Sequence, residues 1–177
     1  MFARVRFRAP PGAVRPRAHL VLKVRLGGQT WHADVGFGYG TLLEPIPYGP
    51  GEVHEQSGWR FRVVTDASEL VLQTTDAEGQ WEDVYGFPPE PVPRVDLEVS
   101  NWFTGAHPGS PFVTGLVVAV RADDGTQLAL SDWSGKLTLT TATPTHATMT
   151  EVTWPEVPEL LATRFGLPGL PSAKPTA

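Results

Sequence analysis

Between Trp59 and Val64 apolar and charged residues alternate without a break, with Trp59, Phe61 and Val63 on one face of a strand and Arg60 and Arg62 on the other. Ala3–Arg8 shows the same two-residue period. Short strands are expected again at Leu70–Thr74 and Gln80–Tyr85, separated by the Asp76-Ala77-Glu78-Gly79 turn. Prolines from Pro88 to Pro93 then interrupt the chain, and the period changes. Val95, Val99, Trp102 and Phe103 recur at i, i+4, i+7 and i+8, the stripe of a short amphipathic helix that Asp96 could cap and that Gly105 and Pro108 end. Three further strands are expected at Phe112–Val120, Gln127–Ser131 and Lys136–Thr141, turning at Asp123-Asp124-Gly125 and near Ser134-Gly135, with Ala147–Thr153 as a fourth. Thr153-Trp154-Pro155-Glu156 has capping-box spacing, and Val157, Leu160, Leu161 and Phe165 continue it as a helix up to Gly166. The proline-rich tail from Pro168 is expected to fray.

The most informative pattern lies nearer the start. Two apolar-rich runs flank Gly27-Gly28, and a Gly-Gly pair between such runs predicts a two-residue hairpin, since both turn residues can take positive φ. With that turn, Leu26 faces Gln29, Val24 faces Trp31 and Leu22 faces Ala33. Continued further, the ladder sets Val21 opposite Asp34 and His19 opposite Gly36, which puts His19 and Asp34 on one face as diagonal neighbours. A slip of one residue would separate them.

Gly and Pro, 18 each among 177 residues, fit many short strands and turns rather than a helical protein. The expected fold is mainly β with a few short helices, divided near Pro88–Pro93 into residues 1–90 and 91–177. The sequence has no cysteine, which excludes disulfides, thiolate metal sites and a cysteine nucleophile within it. Net charge is −5, yet Arg4, Arg6, Arg8, Arg15 and Arg17 crowd the start. Alternation of the first three with Ala3, Val5 and Phe7 is better read as a half-solvated strand than as a phosphate site. No stretch approaches the roughly 20 apolar residues of a membrane span, and no signal peptide is evident. The expectations are a cytoplasmic protein with neither nucleic acid nor membrane as partner.

An acid bonded to one nitrogen of a histidine fixes its tautomer and leaves the other to take a proton from a nucleophile, so His19 with Asp34 is the leading catalytic candidate. The plain alternative is a structural hydrogen bond at a strand end. His32 is expected off this face and in solvent, and with His19 and His32 on opposite parities a metal site among His19, His32, Asp34 and His54 is a weak reading. Neither a Gly-x-Ser-x-Gly elbow nor a phosphate loop occurs. Ser110 is the sole serine worth weighing as a nucleophile, with turn formation its ordinary role. Glycines on either side of Phe37 would let a ligand approach the backbone, or simply make a tight turn.

Four segments, Ala18–Val24 (AHLVLKV), Ala33–Gly38 (ADVGFG), Trp81–Phe87 (WEDVYGF) and Asp96–Phe112 (DLEVSNWFTGAHPGSPF), resemble the arylamine N-acetyltransferase family in residues, order and spacing. That resemblance covers the chain to about residue 167. It implies an antiparallel β-barrel followed by a small α/β lid, a cysteine-proteinase-like acyltransferase fold here truncated at its N-terminus, where the family carries a helical bundle. It implies ping-pong acyl transfer from acetyl-CoA, the family co-substrate, to an arylamine or hydrazine, with no permanently bound cofactor. His19 and Asp34 match the His and Asp of the family's Cys-His-Asp triad. By position Phe37 and Gly38 would line the acyl and amine pocket, and Phe103, Gly109, Ser110 and Phe112 would lie near CoA. The family cysteine sits upstream in an Arg-Gly-Gly-x-Cys motif, and none of the eighteen residues before His19 is Cys. This chain is therefore expected to be inactive alone. Either a separate chain supplies the helical domain, or the protein persists as a small-molecule or protein-binding β domain.

Overall fold

A computed structural model describes residues 1–10, 12–133 and 135–169. Most of the tail expected to fray, together with Pro11 and Ser134, lies outside the described residues. The strands are β1 (Phe2–Val5), β2 (Arg17–Leu20), β3 (Leu22–Leu26), β4 (Gln29–Ala33), β5 (Ile46–Pro47), β6 (His54–Gln56), β7 (Trp59–Asp66), β8 (Glu69–Thr75), β9 (Trp81–Phe87), β10 (Val117–Arg121), β11 (Gln127–Ser131), β12 (Thr138–Thr143) and β13 (His146–Glu151). Helices are α1 (Arg94–Ala106), α2 (Pro111–Thr114) and α3 (Val157–Arg164), the last entered through a 3-10 turn at Trp154–Glu156. The mainly β character is as expected. Among the described residues the strands form three sheets, ordered β2-β1-β9-β8-β7-β6, β3-β4-β5 and β10-β11-β12-β13, none of which closes on itself.

One core gathers Ala3, Val21, Ile46, Trp59, Phe61, Leu72, Tyr85 and Phe87 between the six- and three-stranded sheets, and a second gathers Leu128, Leu130, Val157, Leu161 and Phe165 under the four-stranded sheet. The alternation of β7 is realised: Trp59, Phe61 and Val63 are buried while Arg60 is exposed. Glu156 reaches back to accept from Thr153 N–H at 2.7 Å, as the capping box requires.

Three local expectations are corrected. The first strand stops at Val5, because Arg8 takes φ 49° and turns the chain. Arg6 is spent on the carboxylates of Asp66, Glu69 and Asp83 at 2.7, 2.8 and 3.0 Å, so it is not free for phosphate. The strand expected at Phe112–Val120 begins only at Val117, since Ser110 caps α2 by accepting from Phe112 N–H, with Pro111 preset for the first helical position. Helix α1 starts at Arg94 after Pro93 with no side-chain cap, and Asp96 sits within its first turn.

The hairpin keeps the expected register from Leu26↔Gln29 to Leu22↔Ala33, and Gly27 and Gly28 take φ 61° and 77°. Beyond Ala33 the straight ladder fails. Val21, fully buried, is a one-residue corner at which the chain crosses between sheets. Upstream of it β2 pairs with β1, Ala3 opposite His19. His19 and Asp34 are therefore carried by different sheets.

Candidate functional site

Asp34 follows β4 and turns the chain with its own side chain. Its Oδ1 accepts from the N–H groups of Gly36 at 3.0 Å and Phe37 at 3.1 Å, an Asx-type turn that ends the strand. Its Oδ2 lies 2.7 Å from His19 Nε2, and Thr41 Oγ1 donates to it at 3.5 Å. The pair thus forms across a sheet junction rather than along a ladder. Burial alone would raise the Asp34 pKa, but the His19 hydrogen bond and charge, the Gly36 N–H and the Tyr85 hydroxyl outweigh it and hold the carboxyl below its ordinary value. An ionised carboxylate accepts only, so His19 carries its proton on Nε2 and presents Nδ1 as the basic nitrogen. The His19 side chain keeps 12% exposure while that of Asp34 has none. Such an arrangement can deprotonate a nucleophile brought to Nδ1 and stabilise the resulting imidazolium.

Aromatic rings wall the pair. Phe37 meets the His19 ring edge-on at 5.0 Å, and Tyr85 lies 5.1 Å from His19 and 5.4 Å from Phe37. Burial pushes the Tyr85 hydroxyl well above its usual pKa, and the Asp34 charge adds to this, so the hydroxyl stays protonated.

His32 corrects the expectation of a solvated side chain. It is fully buried, with Nε2 2.9 Å from the Tyr85 hydroxyl and its ring stacked on Tyr85 at 5.9 Å and edge-on to Phe87 at 5.0 Å. Burial lowers its pKa from 6.5 to about 4. The observed ladder explains the placement. His32 pairs with Lys23, two residues from Val21, and lies two residues before Asp34, so all three point the same way. Among the described residues no group of three His, Cys, Asp or Glu side chains could hold a metal ion.

The remaining sequence candidates separate into two places. Gly38 belongs with Phe37 on the loop after Asp34, where its φ is 86° and a Cβ would meet that of Ala119 at 3.2 Å. Its close neighbour is thus β10. Phe103, Gly109, Ser110 and Phe112 gather at the corner between α1 and α2. Phe103 stacks on His107 at 4.8 Å, Gly109 N–H donates to His107 Nδ1 at 3.0 Å, and Phe112, 53% exposed, meets Trp133 at 5.2 Å. Ser110 is fully buried and its hydroxyl donates to Thr104 O at 2.7 Å, which ties α2 to α1. Among the described residues no hydrogen bond or ring contact joins these four to His19, Asp34 or Phe37.

Tyr85, Thr41 and His32 were missed as parts of the site. The available signal was Tyr85 itself, because a tyrosine within a strand buried on both faces must find a partner for its hydroxyl.

A family model described as N-acetyltransferase matches residues 1–170. An arylamine N-acetyltransferase of Mycolicibacterium smegmatis is 40% identical over 119 residues, covering 66% of this chain and 43% of the relative. An arylamine N-acetyltransferase / N-hydroxyarylamine O-acetyltransferase of Salmonella typhimurium is 29% identical over 160 residues, 89% of this chain and 55% of the relative. Among solved structures, Mycobacterium marinum arylamine N-acetyltransferase in complex with CoA matches with TM-score 0.82 and 33% identity, covering 94% of this chain and 60% of that one. The chain thus spans about half the length of these relatives.

Proposed function

Because this chain belongs to the arylamine N-acetyltransferase family, we propose that it supplies the proton-transfer half of an acetyl transfer from acetyl-CoA to an arylamine or hydrazine. The observation that carries the reading is the 2.7 Å contact between His19 Nε2 and a buried, ionised Asp34, with Phe37 against the imidazole. His19 Nδ1 would take the proton of a thiol. The thiolate attacks the acetyl-CoA carbonyl, the C–S bond to CoA breaks, and the departing CoA thiolate receives that proton from His19. In the second half the amine attacks the new thioester, and its proton passes through His19 to the released thiol.

No cysteine occurs in the 177 residues, so the thiol comes from a segment or chain outside them. Support for such a partner comes from α1, whose Val95, Val99 and Trp102 are 62%, 62% and 57% exposed beside the strand that carries His19. On this reading residues 1–90 act as the barrel-like domain and 91–177 as the lid. Phe37 and Gly38 line the acyl and amine pocket, and Phe103, Gly109, Ser110 and Phe112 approach CoA, with the Ser110 hydroxyl already committed to Thr104. A cytoplasmic site of action goes with acetyl-CoA as co-substrate, and among the described residues no helix is long and apolar enough to cross a membrane.

The test is acetyl-CoA-dependent acetylation of an arylamine by this chain alone and mixed with a cysteine-bearing helical segment from a relative. Transfer only in the mixture, abolished by His19→Ala, is expected. Transfer by the chain alone that disappears in His19→Ala would place the nucleophile within these residues and overturn the reading. A chain that binds CoA but never transfers acetyl in the mixture would identify it as the binding domain instead.

A further inference from the structure

The loop from Asp34 to Thr41 is held at both ends. At its start Asp34 Oδ1 accepts from the N–H groups of Gly36 and Phe37. Its far end is held from the four-stranded sheet. Arg121 and Gln127 are direct partners across β10 and β11, so their side chains share a face. Gln127 Oε1 accepts from Gly40 N–H at 2.6 Å, and Arg121 Nη2 donates to Thr41 O at 2.6 Å. Between the two ends Gly38 runs close to Ala119, two residues before Arg121 and on the same face, so that a Cβ on the glycine would come within 3.2 Å of the alanine's. The loop in turn presents Phe37 to the His19 ring at 5.0 Å and Thr41 Oγ1 to Asp34 Oδ2 at 3.5 Å.

Space filling does not account for this pair. Gln127 is 1% exposed, and its Nε2, like Arg121 Nη1, is buried with no partner among the described residues. Reversing the amide would set its NH2 group against Gly40 N–H, so the oxygen has to face the loop. Burial lowers the Arg121 pKa to about 10. Two apolar side chains would fill the same volume without stranding a donor. The sheets are also joined elsewhere: Trp59 Nε1 donates to Gly125 O at 2.7 Å, and a Cβ on Gly125 would meet Ser57 O at 2.7 Å.

We propose that Arg121 and Gln127 are positioning residues of the proposed acyl-transfer site: from the four-stranded sheet they clamp the far end of the loop after Asp34 and so set where Phe37 stands against the His19 imidazole. They act through the Gly40 and Thr41 backbone. Residues 91–177 thereby shape a site whose base and acid both lie in residues 1–90.

Amide hydrogen exchange of the 177-residue chain, read residue by residue by NMR, tests the clamp without turnover. Gln127→Met and Arg121→Met keep an unbranched stem and remove the bonds to Gly40 and Thr41. The Gly36 and Phe37 amides, which neither side chain bonds, should exchange about tenfold faster in either variant, the weight of one hydrogen bond. Amides of the central strands β11 and β12 should keep their rates. Gln127→Glu can still accept and Arg121→Lys can still donate, so both should show wild-type rates. Loop amides that do not respond, strand amides that accelerate equally, or conservative variants that behave like the methionines would each overturn the clamp. The inference rests on the acyl-transfer reading of His19 and Asp34, and the two fail separately. A responding loop with no acetyl transfer in the mixture removes that reading and leaves the clamp, whereas an unresponsive loop removes the clamp whatever the mixture does.

Discussion

Around Tyr85 polar groups sit where water does not reach, whereas along α1 apolar groups sit where it does. Tyr85, His32 and Asp34 are almost completely buried, and their hydrogen bonds are made within the chain. Val95, Val99 and Trp102 form the clean helical stripe that usually marks a buried face, yet α1 buries no residue. The first region is nearly complete as it stands, because its polar atoms apart from His32 Nδ1 find partners, on three different elements. The second is a face prepared for a neighbour that these residues do not provide. The two regions should therefore respond very differently to substitution.

The largest effect is expected from Tyr85→Ala. It removes a fully buried ring in contact with His19, His32, Phe37 and Phe87, and it leaves His32 Nε2 without its partner in the core. A loss of about 3–5 kcal/mol in urea unfolding is expected, the range for truncating a buried aromatic. Tyr85→Phe keeps the ring and should lose only about 1–2 kcal/mol, the cost of leaving buried polar groups unmatched. If the alanine variant cost no more than a substitution on α1, the contrast between the regions would collapse.

Acid sharpens the same contrast. His32 takes a proton near pH 6.5 in an unfolded chain but only near 4 in the folded protein. Between those values the unfolded state binds more protons, so stability is complete above about pH 6.5 and falls as the pH drops towards 4, by on the order of 3 kcal/mol. Asp34 acts in a later window. Its folded pKa lies below the ordinary 3.8, so its contribution is present above that value and is lost as the pH falls through the lowered one. Thermal melts from pH 7 to 3 should show the first loss, and His32→Gln should remove that portion of it. A melting temperature flat from pH 6.5 to 4 would mean that His32 is not the buried neutral base described here.

What the sequence made legible follows from how local each signal is. The Gly27-Gly28 turn, the alternation of Trp59, Phe61 and Val63, and the Thr153–Glu156 box each depend on residues a few positions apart, and each formed as expected. The His19–Asp34 contact was foreseen, but by continuing a ladder that actually ends at Val21, and it forms because two sheets meet there. His32 was misplaced for a different reason: the retained Lys23↔His32 pairing already sets it on the same face as Asp34. Its burial depends on Tyr85, which lies 53 residues away on another sheet, and no period within β4 reports that distance. The α1 stripe shows the complementary gap: periodicity locates an apolar face but says nothing about what covers it.

The smallest effect is expected on that face. Val95→Ser and Val99→Ser exchange residues of similar helix propensity at positions that are 62% exposed, so little packing is lost and no polar group is stranded. Each should change the stability of this chain by no more than about 0.5 kcal/mol, as surface substitutions do. Their effect should appear instead in association. If a cysteine-bearing helical segment docks on α1, each serine removes apolar area from the interface, and binding measured by titration should weaken while the melt of the isolated chain stays put. Should the isolated chain lose more than about 1 kcal/mol, with a melting temperature that rises with its concentration, copies of this chain would be covering the stripe themselves. The contrast between a finished core and an unfinished face would then belong to the monomer alone.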